Sequence, residues 1–326
     1  MTRLSRRTIL ASAAALAALG PASAQQAYPT KPVRMIVPFP PGGASDLVAR
    51  IVAEKLQAKW GQSVIIENLG GAGSNIGVSA LARATPDGYT IGLINSSSHG
   101  ANKALYKDRL PFDPVKDFIP VTQMVLTPNV VVVNPNKVPA KSLSELIAYA
   151  KANPGKLNFG SSGVGSSLHV GMEMLQEVTG TKMNHVPYRG SGPMMTDLLA
   201  GQVDLAMDGA AVAWPHVEAG KLRALAISTP NRAPFLPDLP ALSETFPGFD
   251  VTAWHGLAAP AGTPKAIVDK VSEDVRAILA SPEVKGSLES KKIIALGMTP
   301  EAFATFIGNE LKKWSAAVEK AGVTAE

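Results

Sequence analysis

The sequence predicts an α/β fold built as two lobes, and three observations carry that prediction. Apolar runs of strand length alternate with amphipathic stretches of helical period along the chain. Three strand-to-helix junctions rich in glycine and serine occur early, and three more follow in the same order about 120 residues later. Two long β-rich runs punctuated by proline lie where the chain would cross from one set to the other and back. The expected division is a first lobe of residues 25–123 and 228–326 and a second lobe of residues 124–227.

The elements follow in order. Val33–Pro38 is a short apolar strand, and Leu47, Val48, Ile51, Val52 and Leu56 then share one helical face, with Arg50, Glu54 and Lys55 opposite. Between them stands PFPPGGASD, Pro38 to Asp46, with more prolines and glycines than a plain connection needs. SVIIEN is the next strand, GGAGSNIGVSALARA a glycine turn and helix, and DGYTIGLINSSSH a turn, a strand and a small polar loop. The second set repeats the pattern in KLNFGSSGVGSSLHVGMEMLQEVTG, NHVPYRGSGPMMTDLLAG and QVDLAMDGAAVAWPHV. Such alternation predicts mostly parallel sheets.

The run from Phe118, with Pro120, Pro128 and Pro135, is the outward crossing, and the run from Leu222 to Pro264 is the return. Three helices then close the chain, each after a hydroxyl–proline pair: Thr263-Pro264, Ser281-Pro282 and Thr299-Pro300. A hydroxyl cap with proline at the first helical position is a helix-start signal. The faces Ile267, Val271, Val275, Ile278 and Phe303, Ile307, Leu311, Trp314 are expected to cover the first lobe.

The first residues form a separate segment. Arg3, Arg6 and Arg7 precede an apolar run from Thr8 to Leu19 that ends in Ala22-Ser23-Ala24, a small-x-small cleavage site. This reads as a secretory signal peptide cleaved after Ala24, too short for a membrane span. Ser5 to Leu10 also matches a twin-arginine signal, and a general-route signal carrying two arginines fits the same residues. Of 31 Lys and Arg, three lie in this segment with no acid, leaving 28 against 26, a net +2. That balance argues against nucleic acid as partner. No second apolar run reaches spanning length, so the mature chain is expected outside the inner membrane and not in it. The absence of cysteine excludes disulfides, thiol catalysis and thiolate metal sites.

The junctions carry the chemistry. The first N–H groups of a helix have no partner within it, and the helix dipole adds a partial positive charge, so an anion fits there. Open α/β sheets bind ligands beyond the carboxyl ends of their strands. Phe39, Pro41, Gly42, Gly43, Ala44, Ser45 and Asp46 form one half of the expected anion clamp. Ser161, Ser162, Gly165 and Ser166 form its partner. Gly73 and Asn75 sit in the second junction, and Ser96 and Ser97 in the third. Asp46 and Asp208 either complement a helix start or touch ligand, and Tyr188 either bonds to ligand or packs with its hydroxyl in water. Arg189 either pairs with a carboxylate or is solvated.

Rival chemistries lack their motifs. There is no phosphate-binding GxxxxGK[ST], Gly71, Gly73 and Gly77 miss the dinucleotide spacing by one, and no GxSxG nucleophile elbow occurs. His99, His169, His185, His216 and His255 show no metal-ligand spacing and read as packing residues. No metal, cofactor or nucleophile–base pair is expected.

PFPPGGASD, ENLGGAGSNIG, TPDGYTIG, NFGSSGVGSSLH, VPYRGSGPMMTDLLAGQVD and APAGTP together resemble the signature segments of the Bug family, periplasmic receptors of tripartite tricarboxylate transporters. The resemblance spans essentially the whole mature chain. It implies a type II periplasmic-binding fold, with two α/β lobes around a ligand cleft joined by two crossover segments. It also implies a small carboxylate ligand, held largely by the loops Phe39–Asp46 and Ser161–Ser167, and the membrane subunits of such a transporter as partner. Met194-Met195 stands where smaller residues such as alanine are common in the family. The expected protein is a monomeric, non-enzymatic receptor of the periplasm. A sensor without a transport role, or an enzyme acting on the same carboxylate, are the alternatives.

Overall fold

The structure is a computed structural model that describes residues 28–322, so the expected signal peptide and its cleavage site lie outside the described residues. The chain divides into two units, Met1–Thr30 and Lys31–Glu326, and the architecture below is that of the second.

The strand β1 (Val33–Val37) leads through the Pro/Gly loop into α1 (Ala44–Trp60), and β2 (Val64–Asn68) leads to α2 (Asn75–Ala82). The strand β3 (Thr90–Asn95) runs into a π-helical turn, Ser97–Ala101, and then α3 (Asn102–Tyr106), before β4 (Phe118–Thr127). Pro128 separates β4 from β5 (Asn129–Val133), which is followed by α4 (Leu143–Ala152), β6 (Asn158–Ser161), α5 (Ser167–Thr179) and β7 (Asn184–Pro187). Next come α6 (Ser191–Ala200), β8 (Leu205–Gly209), α7 (Ala210–Glu218) and β9 (Arg223–Ile227). The return carries α8 (Leu242–Thr245) to β10 (Ala253–Pro260), and α9 (Lys265–Ala280), α10 (Pro282–Ser290), β11 (Ile294–Ala295) and α11 (Pro300–Ala321) close the chain.

These strands form two sheets, ordered β11-β4-β10-β3-β1-β2 and β7-β6-β8-β5-β9. The sheets are mixed, not mostly parallel as the alternation suggested. β1 is parallel to β2 and β3, and β6 to β7 and β8. By contrast β10 runs antiparallel to β3 and β4, β11 to β4, and β5 to β8 and β9. A strand reached by a helical crossover within its own sheet is held parallel. β5 and β10 arrive from the other sheet, so no such crossover fixes their direction.

Two of the three expected caps form. Ser281 accepts from the Val284 N–H at 3.4 Å and Thr299 from the Ala302 N–H at 3.2 Å, each with proline at the helix start. Thr263 differs: its hydroxyl donates to the Pro260 carbonyl at 2.8 Å, and α9 begins one residue after Pro264 without a side-chain cap.

The closing helices also reach further than expected. Phe303 and Ile307 of α11 pack with Ile36, Ile94 and Trp254 under the first sheet. Trp314 and Val318 of the same helix are buried with Leu168, Leu175 and Phe249 in the core of the second. At 22 residues the helix outruns one lobe, spanning about 33 Å at 1.5 Å per residue.

Candidate ligand-binding site

A cavity opens between the strand ends of the two sheets, with about 520 Å³ of empty space counting the open solvent at its mouth. Phe39, Gly43, Ala44, Ser45, Ser96 and Ser97 line it from the first sheet. Ser162, Ser167, Ser191 and Asp208 face them from the second. Among the described residues no lysine or arginine lines it. The start of α1 points its uncapped end here. Gly43 is the N-cap and supplies no side chain, so the first-turn N–H groups have no partner from the helix or from a cap. Ser45 Oγ lies 3.3 Å from His255 Nδ1, and burial pushes the His255 imidazole down to about 4, so it is neutral at neutral pH.

The loop before α1 is pinned from behind. Asp46 accepts from the Gly42 N–H at 3.2 Å, Arg50 Nε at 2.9 Å and Asn68 Nδ2 at 3.0 Å, and Asn68 also donates to the Phe39 carbonyl at 2.9 Å. Burial alone would raise the Asp46 pKa, but these donors outweigh it and hold the carboxyl below its ordinary value. Asp46 therefore turns away from the cavity, and Pro41 and Gly42 are exposed outside it.

The second loop is bonded mostly to the protein itself. Ser161 Oγ meets His185 Nε2 at 2.6 Å and accepts from the Gly163 N–H at 3.1 Å. Ser166 caps α5 by accepting from the His169 N–H at 3.2 Å, and the Gly165 N–H donates to His169 Nδ1 at 3.3 Å. The rings of His169 and His185 stack 3.8 Å apart. Burial, and then His169, push His185 down to about 3, so it is a packed neutral ring. Of this loop, Ser162 and Ser167 reach the cavity, while Ser161, Gly165 and Ser166 do not.

Gly73 and Asn75 form part of a seam between the lobes. Gly73 has φ +58°, and a Cβ there would fall 2.6 Å from the Val164 carbonyl oxygen, so the two backbones meet only because Gly73 has no side chain. Asn102 Nδ2 ties the seam by donating to Asn75 Oδ1 at 2.6 Å and to the Gly73 carbonyl at 3.0 Å. The Ser167 N–H crosses the same gap to Ser97 Oγ at 3.0 Å. Tyr188 also lies outside the cavity. Its hydroxyl donates to Asp197 at 2.8 Å, and burial, with Asp197, pushes its pKa up to about 12.

Asp208 does line the cavity. Its Oδ1 accepts from Ser191 Oγ at 2.7 Å and from the Gly209 N–H at 2.8 Å, while Oδ2 has no partner. Burial pushes this carboxyl up to about 6. Asn95, Thr127, Asn129, Ser191 and His255 also line the cavity and were not foreseen. Asn95, beside the expected Ser96, and Asn129, beside Pro128, carried a positional signal at strand ends; His255, inside an apolar run, carried none. Asn95 Oδ1 accepts from the Ser97 and Ser98 N–H groups at 2.8 and 3.1 Å, which leaves its Nδ2 unpartnered. Asn129 is reversed: its Nδ2 donates to the Val251 carbonyl, and its Oδ1 is unpartnered.

Ser45 and His255 do form a hydroxyl–imidazole contact, which sequence reading had not expected. No carboxylate hydrogen-bonds to His255 among the described residues, and its depressed pKa makes it a weak base. Among the described residues no cluster of side chains suits a metal ion, and no helix is long and apolar enough to cross a membrane.

A family model described as "Tripartite tricarboxylate transporter family receptor" matches residues 48–323. The solved structure of the periplasmic binding protein BugD is 36% identical, covers 92% of this chain and all of its own, and superposes with a TM-score of 0.87. The Rhodopseudomonas palustris protein Rpa4515, solved with adipate, is 34% identical over 91% of this chain and 99% of its own, with a TM-score of 0.88. MatC from the same organism, solved with bound malate, is 33% identical over 89% of this chain and all of its own, with a TM-score of 0.84. The two mixed sheets around a cleft are the architecture of type II periplasmic-binding proteins. The chain belongs to the tripartite tricarboxylate transporter receptor family, as its likeness to the Bug proteins implied.

Proposed function

We propose that this protein is a periplasmic solute-binding receptor, exported with its leader cleaved after Ala24. It captures a small carboxylate between its lobes and hands it to the membrane subunits of a tripartite tricarboxylate-type transporter. The observation that carries this reading is the uncapped start of α1, opening onto a serine-lined cavity that no lysine or arginine among the described residues lines. Backbone N–H groups and hydroxyls hold an anion there without a buried ion pair. The adipate and malate bound by two relatives support the ligand class.

Gly43, Ala44, Ser45, Ser96, Ser97, Ser162 and Asp208 face the ligand, while Asp46, Gly73, Asn75, Ser161, Gly165 and Ser166 hold the loops in place. The contacts of Gly73 with Val164 and of Ser97 with Ser167 belong to the closed form. Opening breaks them by rotation about the crossings at Pro128 and between Ile227 and Ala253.

The test is a thermal-shift screen of carboxylates on residues 25–326. A ligand at 100 times its Kd adds about 2.7 kcal/mol of stability. The bound acid is recovered chemically unchanged by chromatography, as expected of a receptor rather than an enzyme. A library in which no carboxylate shifts the unfolding midpoint overturns the reading.

A further inference from the structure

Unfilled donors and unfilled acceptors both line the cavity. On the first-sheet side it offers donors: the start of α1 and Asn95 Nδ2, whose orientation is locked because Asn95 Oδ1 already accepts two N–H groups. On the second-sheet side, beside the Ser162 and Ser167 hydroxyls and the uncapped start of α6 at Ser191, it offers two unfilled acceptors. Asn129 Nδ2 must face the Val251 carbonyl, so Asn129 Oδ1 is left over. Asp208 Oδ1 is occupied by Ser191 and Gly209, so Oδ2 is left over. The β5–β8 register pairs Asn129 with Gly209 and Val130 with Asp208, so the two side chains leave adjacent strand ends from opposite faces of the sheet, and both line the cavity at its rim. Asn129 and Asp208 are 0% and 1% exposed, and neither oxygen has a partner among the described residues.

We infer that the site selects carboxylates that also carry a hydrogen-bond donor, an ammonium before a hydroxyl, which Asp208 Oδ2 and Asn129 Oδ1 accept while the carboxylate lies at the start of α1. The inference rests on the carboxylate reading above. A bare second carboxylate would bring acceptors against acceptors. An ammonium supplies donors and neutralises Asp208, and a hydroxyl supplies one donor without charge.

Among the described residues no ionised group acts on Asp208. His255 of β10 is neutral, Asp46 of α1 is turned to Arg50 and Asn68, and Asp197 of α6 accepts from Tyr188. His169 of α5 stacks on His185 outside the cavity. At pH 8, well above the value of about 6 that burial gives Asp208, its carboxylate is ionised and can only accept.

The test is calorimetry at pH 8 with matched acids: succinate, malate and aspartate, then glutarate, 2-hydroxyglutarate and glutamate, then adipate and 2-aminoadipate. The expected result is that the amino acid binds at least tenfold tighter than the bare diacid of its length, with the hydroxy acid between them. In Asp208→Asn the amide oxygen takes over the bonds from Ser191 and Gly209 and an NH₂ replaces Oδ2, so the preference reverses. Bare diacids that bind the native protein as tightly as their amino partners overturn the inference, and leave the carboxylate reading standing. A set in which no acid binds overturns both. The native series stands on its own whether or not the variant folds.

Discussion

The loops PFPPGGASD and FGSSGVGSS look interchangeable as sequences: small residues after a strand and before a helix. In the structure they do different work. The first turns its helix start toward the cavity and is braced from behind by Asp46 and Asn68. The second binds itself to His185 and His169 and to the opposite lobe, and only Ser162 and Ser167 reach the cavity. One loop presents groups to the cavity, and the other chiefly bonds within its own half and across the seam. The aspartates of the two halves differ in the same sense. Asp46 is fully partnered and turned away, and Asp208 is half partnered and turned in.

The difference can be broken most severely at Gly165. It has φ +80°, and a Cβ would lie 3.1 Å from Asn102 Oδ1 and from the Tyr106 ring. Gly165→Val combines left-handed backbone strain with overpacking of the seam, and is expected to cost the closed form about 3–4 kcal/mol. Calorimetry should then show ligand affinity lower by more than a hundredfold. Near-normal affinity would mean that this loop does not fasten the lobes.

Asp208→Asn separates binding from stability. The folded pKa of Asp208 lies above that of the unfolded chain, so as pH rises from about 4 to about 6 the unfolded chain gives up its proton first, and the native fold loses stability. Above that window the loss reaches roughly 3 kcal/mol, and the amide variant escapes it. Urea unfolding should find Asp208→Asn more stable than the native protein at pH 8 and no more stable at pH 4. An advantage that persists at pH 4 would trace the gain to some other cause.

A smaller effect is expected at Ser97, whose hydroxyl accepts the Ser167 N–H across the seam. Ser97→Ala leaves a buried N–H unpaired in the closed form alone, and should weaken binding by about 1–2 kcal/mol with little change in the free protein's stability. The smallest belongs to Arg189, which is exposed and lines no part of the cavity. Arg189→Ala should shift affinity by less than about 0.5 kcal/mol, in the range of ordinary surface changes. A large loss there would put a side-chain cation back into carboxylate binding.

The strand-to-helix junctions were legible because glycine, serine and helical periodicity mark them locally. The direction of β5 and β10 was not, since an apolar run such as NVVVV reads the same whichever way it pairs. For the site, the cavity-facing roles of Gly43, Ser45, Ser96 and Asp208 followed from their places at strand ends and helix starts. What distinguishes them from Gly73, Asn75 and Ser166 is which neighbour each meets across the gap, a tertiary fact with no local trace. Thr263 shows the same limit on a smaller scale: its hydroxyl had two acceptable uses, and in the structure it donates to the Pro260 carbonyl.

The position of β10 has a consequence for how the molecule is made. β3 ends at Asn95 and β4 at Thr127, yet the strand hydrogen-bonded to both is Ala253–Pro260. A chain synthesised from its amino end therefore holds two strands with bare inner edges while more than a hundred further residues emerge. Such edges are templates for wrong partners, and pairing over so long a separation is slow. The strands of the second sheet are contiguous from Asn129 to Ile227, but Phe249, Val251, Trp314 and Val318 complete its core. Neither lobe can finish before the tail arrives, so the nascent protein must be shielded until its last helix exists.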